Sequence, residues 1–163
     1  MTIHTQFLIN RDQDLDNLQS PELRKIFEFW SGLRAGDRLP ARSDFYPTDL
    51  PARLLPHISI AEILRDGGEQ RFRWRLVGTH TTEKTGRDVT GRYFDDVYAG
   101  DDYDDLVAAY VWVAEHGRPL RWHGNSHFVD KDWMSMEIIG LPLAEDGETV
   151  DKILCGMVFQ QGR

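Results

Sequence analysis

The hydrophobic patterns along the chain predict an α+β fold. It is a five-stranded antiparallel sheet with short helices and one long connecting helix on one face, plus an N-terminal helix. Three observations predict it. Two β-rich runs, Ile58–Leu64 and Gln70–Val77, flank Arg65-Asp66-Gly67-Gly68, a composition that suits a tight hairpin turn. A stretch opened by Asp101 and Asp102 and closed by Gly117 repeats apolar residues at helical spacing. After Pro119, the runs Leu120–Phe128, Trp133–Leu143 and Lys152–Phe159 are separated by Val129–Asp132 and by Glu145-Asp146-Gly147-Glu148, so both junctions read as hairpins. Strands on either side of a helical insert, joined by hairpins, give helices packed on an antiparallel sheet.

Residues 1–19 are polar without a sustained period and read as an N-terminal arm. At Ser20-Pro21-Glu22 the chain changes character: Ser20 suits the N-cap, Pro21 the first helical position, and Glu22 complements the helix dipole. Leu23, Ile26, Phe27, Trp30 and Leu33 then share one face, and the helix is expected to end near Gly36. Leu39–Pro47 is too rich in proline for a helix or a central strand, and a short helical turn capped by Thr48 is expected up to Leu54. In the second run of the first hairpin, Phe72, Trp74 and Leu76 alternate with Arg71, Arg73 and Arg75, which places one row inward and one outward. Between Gly78 and Val97, short helical turns are broken by Gly86 and Gly91. The long helix presents Tyr103, Leu106, Val107, Tyr110, Val113 and Ala114 as its apolar stripe, with Trp112 on the opposite face. Residues 20–163 thus read as a single domain with a helical extension (20–57) and a core (58–160).

At 163 residues the chain can bury one sizeable core. The lone Cys155 excludes an internal disulfide framework and suits a reducing compartment. No apolar run spans a bilayer and no secretory leader is evident, so a cytoplasmic protein without a membrane partner is expected. A net charge of -8 argues against nucleic acid, whose phosphates require clustered Lys and Arg.

Three stretches carry a family resemblance: Leu39–Pro51, Phe72–Thr79 and Thr85–Val97. With the hairpins at the end they resemble the PAS domain family, in particular small stand-alone bacterial PAS proteins with an N-terminal helical extension. The resemblance implies a sensory or regulatory role, exerted through a small-molecule pocket between sheet and helices or through partner contacts. It leaves the cofactor unknown. The helical segment lacks the cysteine of a flavin photosensor, Cys155 being in the last strand. The haem ligand of PAS proteins comes from the connecting-helix region, where His116 lies at the far end on the polar face. With no effector domain in the chain, the output is expected to pass to a separate signalling protein.

Catalytic residues are not proposed. Ser43, Ser126 and Ser135 lie in no nucleophile motif, and Cys155 sits in an apolar strand. His123 and His127, four apart in a strand, are separated by about 13 Å, too far for one metal ion. The aspartates Asp95, Asp96, Asp101, Asp102, Asp104 and Asp105 do not have the spacing of a calcium loop, and the later ones suit the start of a helix. Trp74, Leu76, Tyr110, Trp122, Met134, Met136 and Met157 are large groups on faces expected to look inward. They fill a core or, with Thr79 and His80, line a mostly apolar cavity. Arg42 and Asp44 admit two readings, a ligand or partner contact, or a pair pinning the first helix to the sheet. Arg71, Arg73 and Arg75 either pair across strands with Glu62 and Glu69 or meet an anionic partner. Trp112 and the wide apolar arc around Trp30 point to self-association, and a homodimer involving the first helix is expected.

Overall fold

The computed structural model describes residues 9–98, 100–126 and 131–161. Its first helix, α1 (Pro21–Leu33), starts where the sequence places it: the Ser20 hydroxyl accepts from the Leu23 amide at 3.3 Å, and Pro21 occupies the first position. The proline-rich stretch that follows becomes a series of 3-10 turns at Arg42–Asp44, Pro47–Asp49 and Ala52–His57. Thr48 lies inside one of these turns rather than capping it. Asp49 closes that turn instead, its carboxylate accepting from the Tyr46 amide at 2.8 Å.

The hairpin β2 (Ile58–Asp66) and β3 (Glu69–Leu76) turns through Gly67 and Gly68. Both have positive φ, 62° and 84°, which only glycine adopts without cost and which matches the twist of a two-residue hairpin. Three helices come next, α2 (Thr79–Thr85), α3 (Phe94–Val97) and α4 (Gly100–His116), then the strands β4 (Leu120–Ser126), β5 (Lys131–Leu143) and β6 (Lys152–Gln161). Of the turn expected at Val129–Asp132, positions 129 and 130 lie outside the described residues, as does His127, and Lys131 and Asp132 belong to β5.

The sheet is antiparallel throughout but has six strands, not five. The added strand, β1 (Ile9–Asp12), pairs with β4 from Ile9 opposite Gly124 to Asp12 opposite Arg121. Within the segment read as an arm, residues 9–12 are thus a strand, while residues 1–8 lie outside the described residues. Four residues are too few for alternation to be recognised, and their partner lies more than a hundred positions along the chain. The spatial order is β1-β4-β5-β6-β2-β3, so the chain's last strand is in the interior of the sheet.

Two glycines establish which helix lies on which face. Gly140 pairs with Cys155 and Gly156 with Ile139, so the two glycines point to opposite sides. A side chain at Gly140 would strike Trp122 and Val113 of α4, whereas one at Gly156 would strike Leu23 and Ile26 of α1. The sheet is therefore sandwiched, with α1 on the outer face and α2, α3 and α4 on the inner one. Leu23, Ile26 and Trp30 seal the outer face, and the Trp30 indole donates to the Pro142 carbonyl at 2.9 Å. Phe72, Trp74, Phe94, Tyr110 and Trp122 stack as an aromatic core on the inner face, with ring centroids 4.6–5.9 Å apart.

Candidate functional site

The inner face encloses a cavity between the sheet and the α2–α4 helices. Trp74 of β3 and Ile138, Met157 and Phe159 of β5 and β6 form its sheet side; Thr81, Thr85, Arg87, Tyr98, Leu106 and Tyr110 close it from the helical side. Its volume is about 20 Å³, room for one water molecule and far below the few hundred Å³ of a metabolite pocket.

The cavity's polar groups are few and mostly committed. The Trp74 indole donates to the Tyr98 hydroxyl at 3.2 Å. The Thr81 hydroxyl faces the Met157 sulfur at 3.6 Å, and that of Thr85 donates to the Thr81 carbonyl at 2.7 Å. Tyr110 is fully buried, and among the described residues its hydroxyl finds no partner beyond the nearby Cys155 thiol. Burial raises the Tyr98 and Tyr110 phenols above their usual range and pushes the Cys155 thiol up to about 12, so all three stay protonated at neutral pH. Arg87, over the Tyr98 ring at 5.5 Å, is the one charged side chain among the described lining residues. Such a wall is predominantly apolar.

A second polar feature adjoins this wall. His57 and His80 pack against each other, tilted at 47° with centroids 4.2 Å apart. His57 Nδ1 donates to the Met157 carbonyl at 3.0 Å, and His80 Nε2 accepts from the Phe159 amide at 3.1 Å. Both imidazoles therefore grip β6 just where it lines the cavity. Burial lowers His80 to about 4, reinforced by His57 and Lys84 and opposed by Glu83 and Glu22. An acceptor role for Nε2 requires this neutral form.

On the outer face, Glu137 ties three elements together. Its carboxylate accepts from the Ser20 amide at 2.7 Å, the Gln19 amide at 2.9 Å and Arg121 Nε at 2.7 Å, and Arg121 also reaches Asp12 of β1 at 3.5 Å. Arg121 and Glu137 are both buried.

The structure redistributes the residues expected to line a pocket. Trp74, Tyr110 and Met157 reach the cavity. Trp122, Met134 and Met136 are buried in the surrounding core. His80 lies behind the wall, on Phe159. Leu76 and Thr79 are corrected outright: Leu76 is 37% exposed, and both border a shallow outer groove with Pro47, Leu55 and Pro56. A register shift between Ile60 and Ala61 inserts one extra residue in β3 after Trp74 and turns Leu76 away from the inward row.

Arg42 and Asp44 do not pin α1 to the sheet as a pair. Arg42 donates to the Phe45 carbonyl and covers its ring, while Asp44 accepts from the Ala41 amide; Phe45 then packs edge-on to Phe29 of α1. Of the arginine ridge, Arg73 pairs with Glu62 across the hairpin, and Arg75 approaches the same carboxylate at 3.8 Å. Arg71 turns instead to Asp95, with two bonds of 2.8 and 2.7 Å, and lies over Tyr93 at 3.8 Å. Trp112 is half-buried, stacked on His116 at 4.3 Å, and shares an open groove with Trp30.

Sequence reasoning missed Thr81, Arg87 and Tyr98, the His57–His80 pair and the Glu137 hub. Each depends on contacts between distant segments, and only His57 carried a local signal, as the last residue of a proline-rich turn before a strand. Among the described residues no group of three or more His, Cys, Asp or Glu is placed to hold a metal ion, and no helix is long and apolar enough to cross a membrane.

No curated protein matches the chain. A family model described as PAS domain matches residues 18–158, nearly the whole chain, from just before α1 to within β6. With an antiparallel sheet folded over a helical insert and that match across it, the chain belongs to the PAS domain family.

Proposed function

We propose that this chain is a regulatory module in which occupation of the inner cavity by a small apolar molecule is passed through β6 to α1. PAS domains are generally sensory, and one observation carries the finer reading. Met157, in the cavity wall, and Gly156, in the seat of α1, are consecutive residues of the same strand. A ligand seated against Met157 presses on β6, and the outer face of β6 at Gly156 has no side chain to absorb a displacement before Leu23 and Ile26. The bound state is thus selected by its larger cavity and by a shifted α1. Phe27 and Leu33, half-exposed on α1, supply contact surface for a homodimer or for a separate output protein.

A second reading, a ligand-free interaction adaptor, is favoured by the cavity's volume of about 20 Å³. Native mass spectrometry of freshly purified protein separates the two. A small molecule retained on the chain, with α1 amides exchanging at a changed rate once it is removed, supports the sensor. A bare mass from every preparation supports the adaptor. Light scattering at micromolar concentration tests the dimer, which a mass of one chain would exclude.

A further inference from the structure

An open groove of about 480 Å³ runs between α1 and the C-terminal end of α4, on the far side of the sheet edge from the inner cavity. Its volume lies in the range of small-molecule sites. Phe27 and Trp30 of α1 and Trp112 of α4 supply its aromatic walls, and Arg34 and Arg118 stand at its margins. Each guanidinium lies over a tryptophan, Arg34 over Trp30 at 5.5 Å and Arg118 over Trp112 at 5.8 Å. The second is steadied by Gln13 at 3.5 Å.

The groove's described lining carries positive charge and no negative charge. Asp and Glu outnumber Lys and Arg by 27 to 19 in the sequence, yet no carboxylate lines the groove among the described residues. The arginines of β3 and Arg121 all face carboxylates, at 3.8 Å or closer. Among the described residues Arg34 and Arg118 face none; both are exposed, each within cation–π distance of a tryptophan. The planar fork of a guanidinium suits a bidentate oxyanion.

We propose that this groove binds a small aromatic anion, its ring against Phe27 and Trp112 and its carboxylate or phosphate on Arg34 and Arg118. The site is independent of the inner cavity, but it is built on α1, the element through which that cavity is read out. Occupation would fasten α1 to α4.

Calorimetric titration of the full chain tests this with 2-naphthoate and adenosine monophosphate as probes, against 2-naphthalenemethanol, adenosine and inorganic phosphate. Saturable binding of at least one aromatic anion is expected, weakened about tenfold or more when either the ring or the charge is missing. Preference between naphthoate and the nucleotide distinguishes a carboxylate from a phosphate ligand. Arg34→Gln with Arg118→Gln, both at exposed positions, should abolish the saturable heat while leaving the melting temperature within a few degrees. Trp112→Ala should weaken it independently. The proposal is overturned if neither anion binds at millimolar concentration, if the neutral analogues bind equally well, or if the double arginine variant binds like the parent. None of these results bears on ligand retention by the inner cavity.

Discussion

Glu137 illustrates how one side chain can hold several segments. Its two carboxylate oxygens take the Gln19 and Ser20 amides and the Arg121 guanidinium, the last two away from bulk water. Removing its charge leaves the buried Arg121 with the more distant Asp12 carboxylate at 3.5 Å and loosens the start of α1. Glu137→Gln is therefore expected to cost about 3–5 kcal/mol, the range for breaking one side of a buried pair. Urea denaturation measures it, and a loss below about 1 kcal/mol would show that the site is already hydrated. His80 sets a pH dependence of definite sign. The unfolded chain protonates near the ordinary histidine value of 6.5, the folded chain only at about 4, so stability declines as pH falls from 6.5 and the decline levels off below 4. Melting temperature against pH should show that slope in the parent and a shallower one in His80→Gln, whose longer side chain carries a non-titrating amide oxygen to the position of Nε2 as acceptor for the Phe159 amide. Parallel curves would assign the slope elsewhere.

At the level of elements, the sequence was legible where the signal is local. Ser20-Pro21 marks the start of α1 because capping is decided within four residues, and Gly67-Gly68 marks its hairpin because positive φ is decided at two. The long helix α4 followed from its stripe, of which Leu106, Tyr110 and Val113 are buried. What failed was non-local. β1 has only four residues and no pattern of its own; it is a strand because β4 offers it an edge. Leu76 obeys perfect alternation in sequence, but a bulge visible only in the pairing with β2 takes it out of phase. The inner site was half legible for the same reason: Trp74, Tyr110 and Met157 follow from periodicity, whereas Tyr98 and Arg87 come from irregular chain placed by tertiary contacts. Gly156 is the element-level test of coupling. A Cβ there would lie 2.8 Å from Leu23 and 3.1 Å from Ile26 and Ile139. Gly156→Val should cost about 1–3 kcal/mol by overpacking and lift α1 from the sheet. Hydrogen exchange should then quicken along α1 while β5 and β6 stay protected. Equal protection of α1 in parent and variant would mean that β6 does not drive it.

Across the whole molecule, α1 and the α2–α4 helices rest on opposite faces of one sheet. The inner layer grips β6 by His57, His80 and the cavity wall, and the outer layer rests on the same strand at Gly156. The match to the family begins at residue 18, after β1. That boundary has a practical consequence for anyone shortening the protein. Deleting the residues ahead of Ser20 would take away Leu18, which is buried, along with the Gln19 amide that Glu137 holds and the Asp12 carboxylate near Arg121. It would also uncover the outer backbone of β4, a ready template for another chain's strand. A shortened form should melt earlier and aggregate on concentration, so its assemblies in a sizing column would report an unguarded rim and say nothing of the association state of the longer chain.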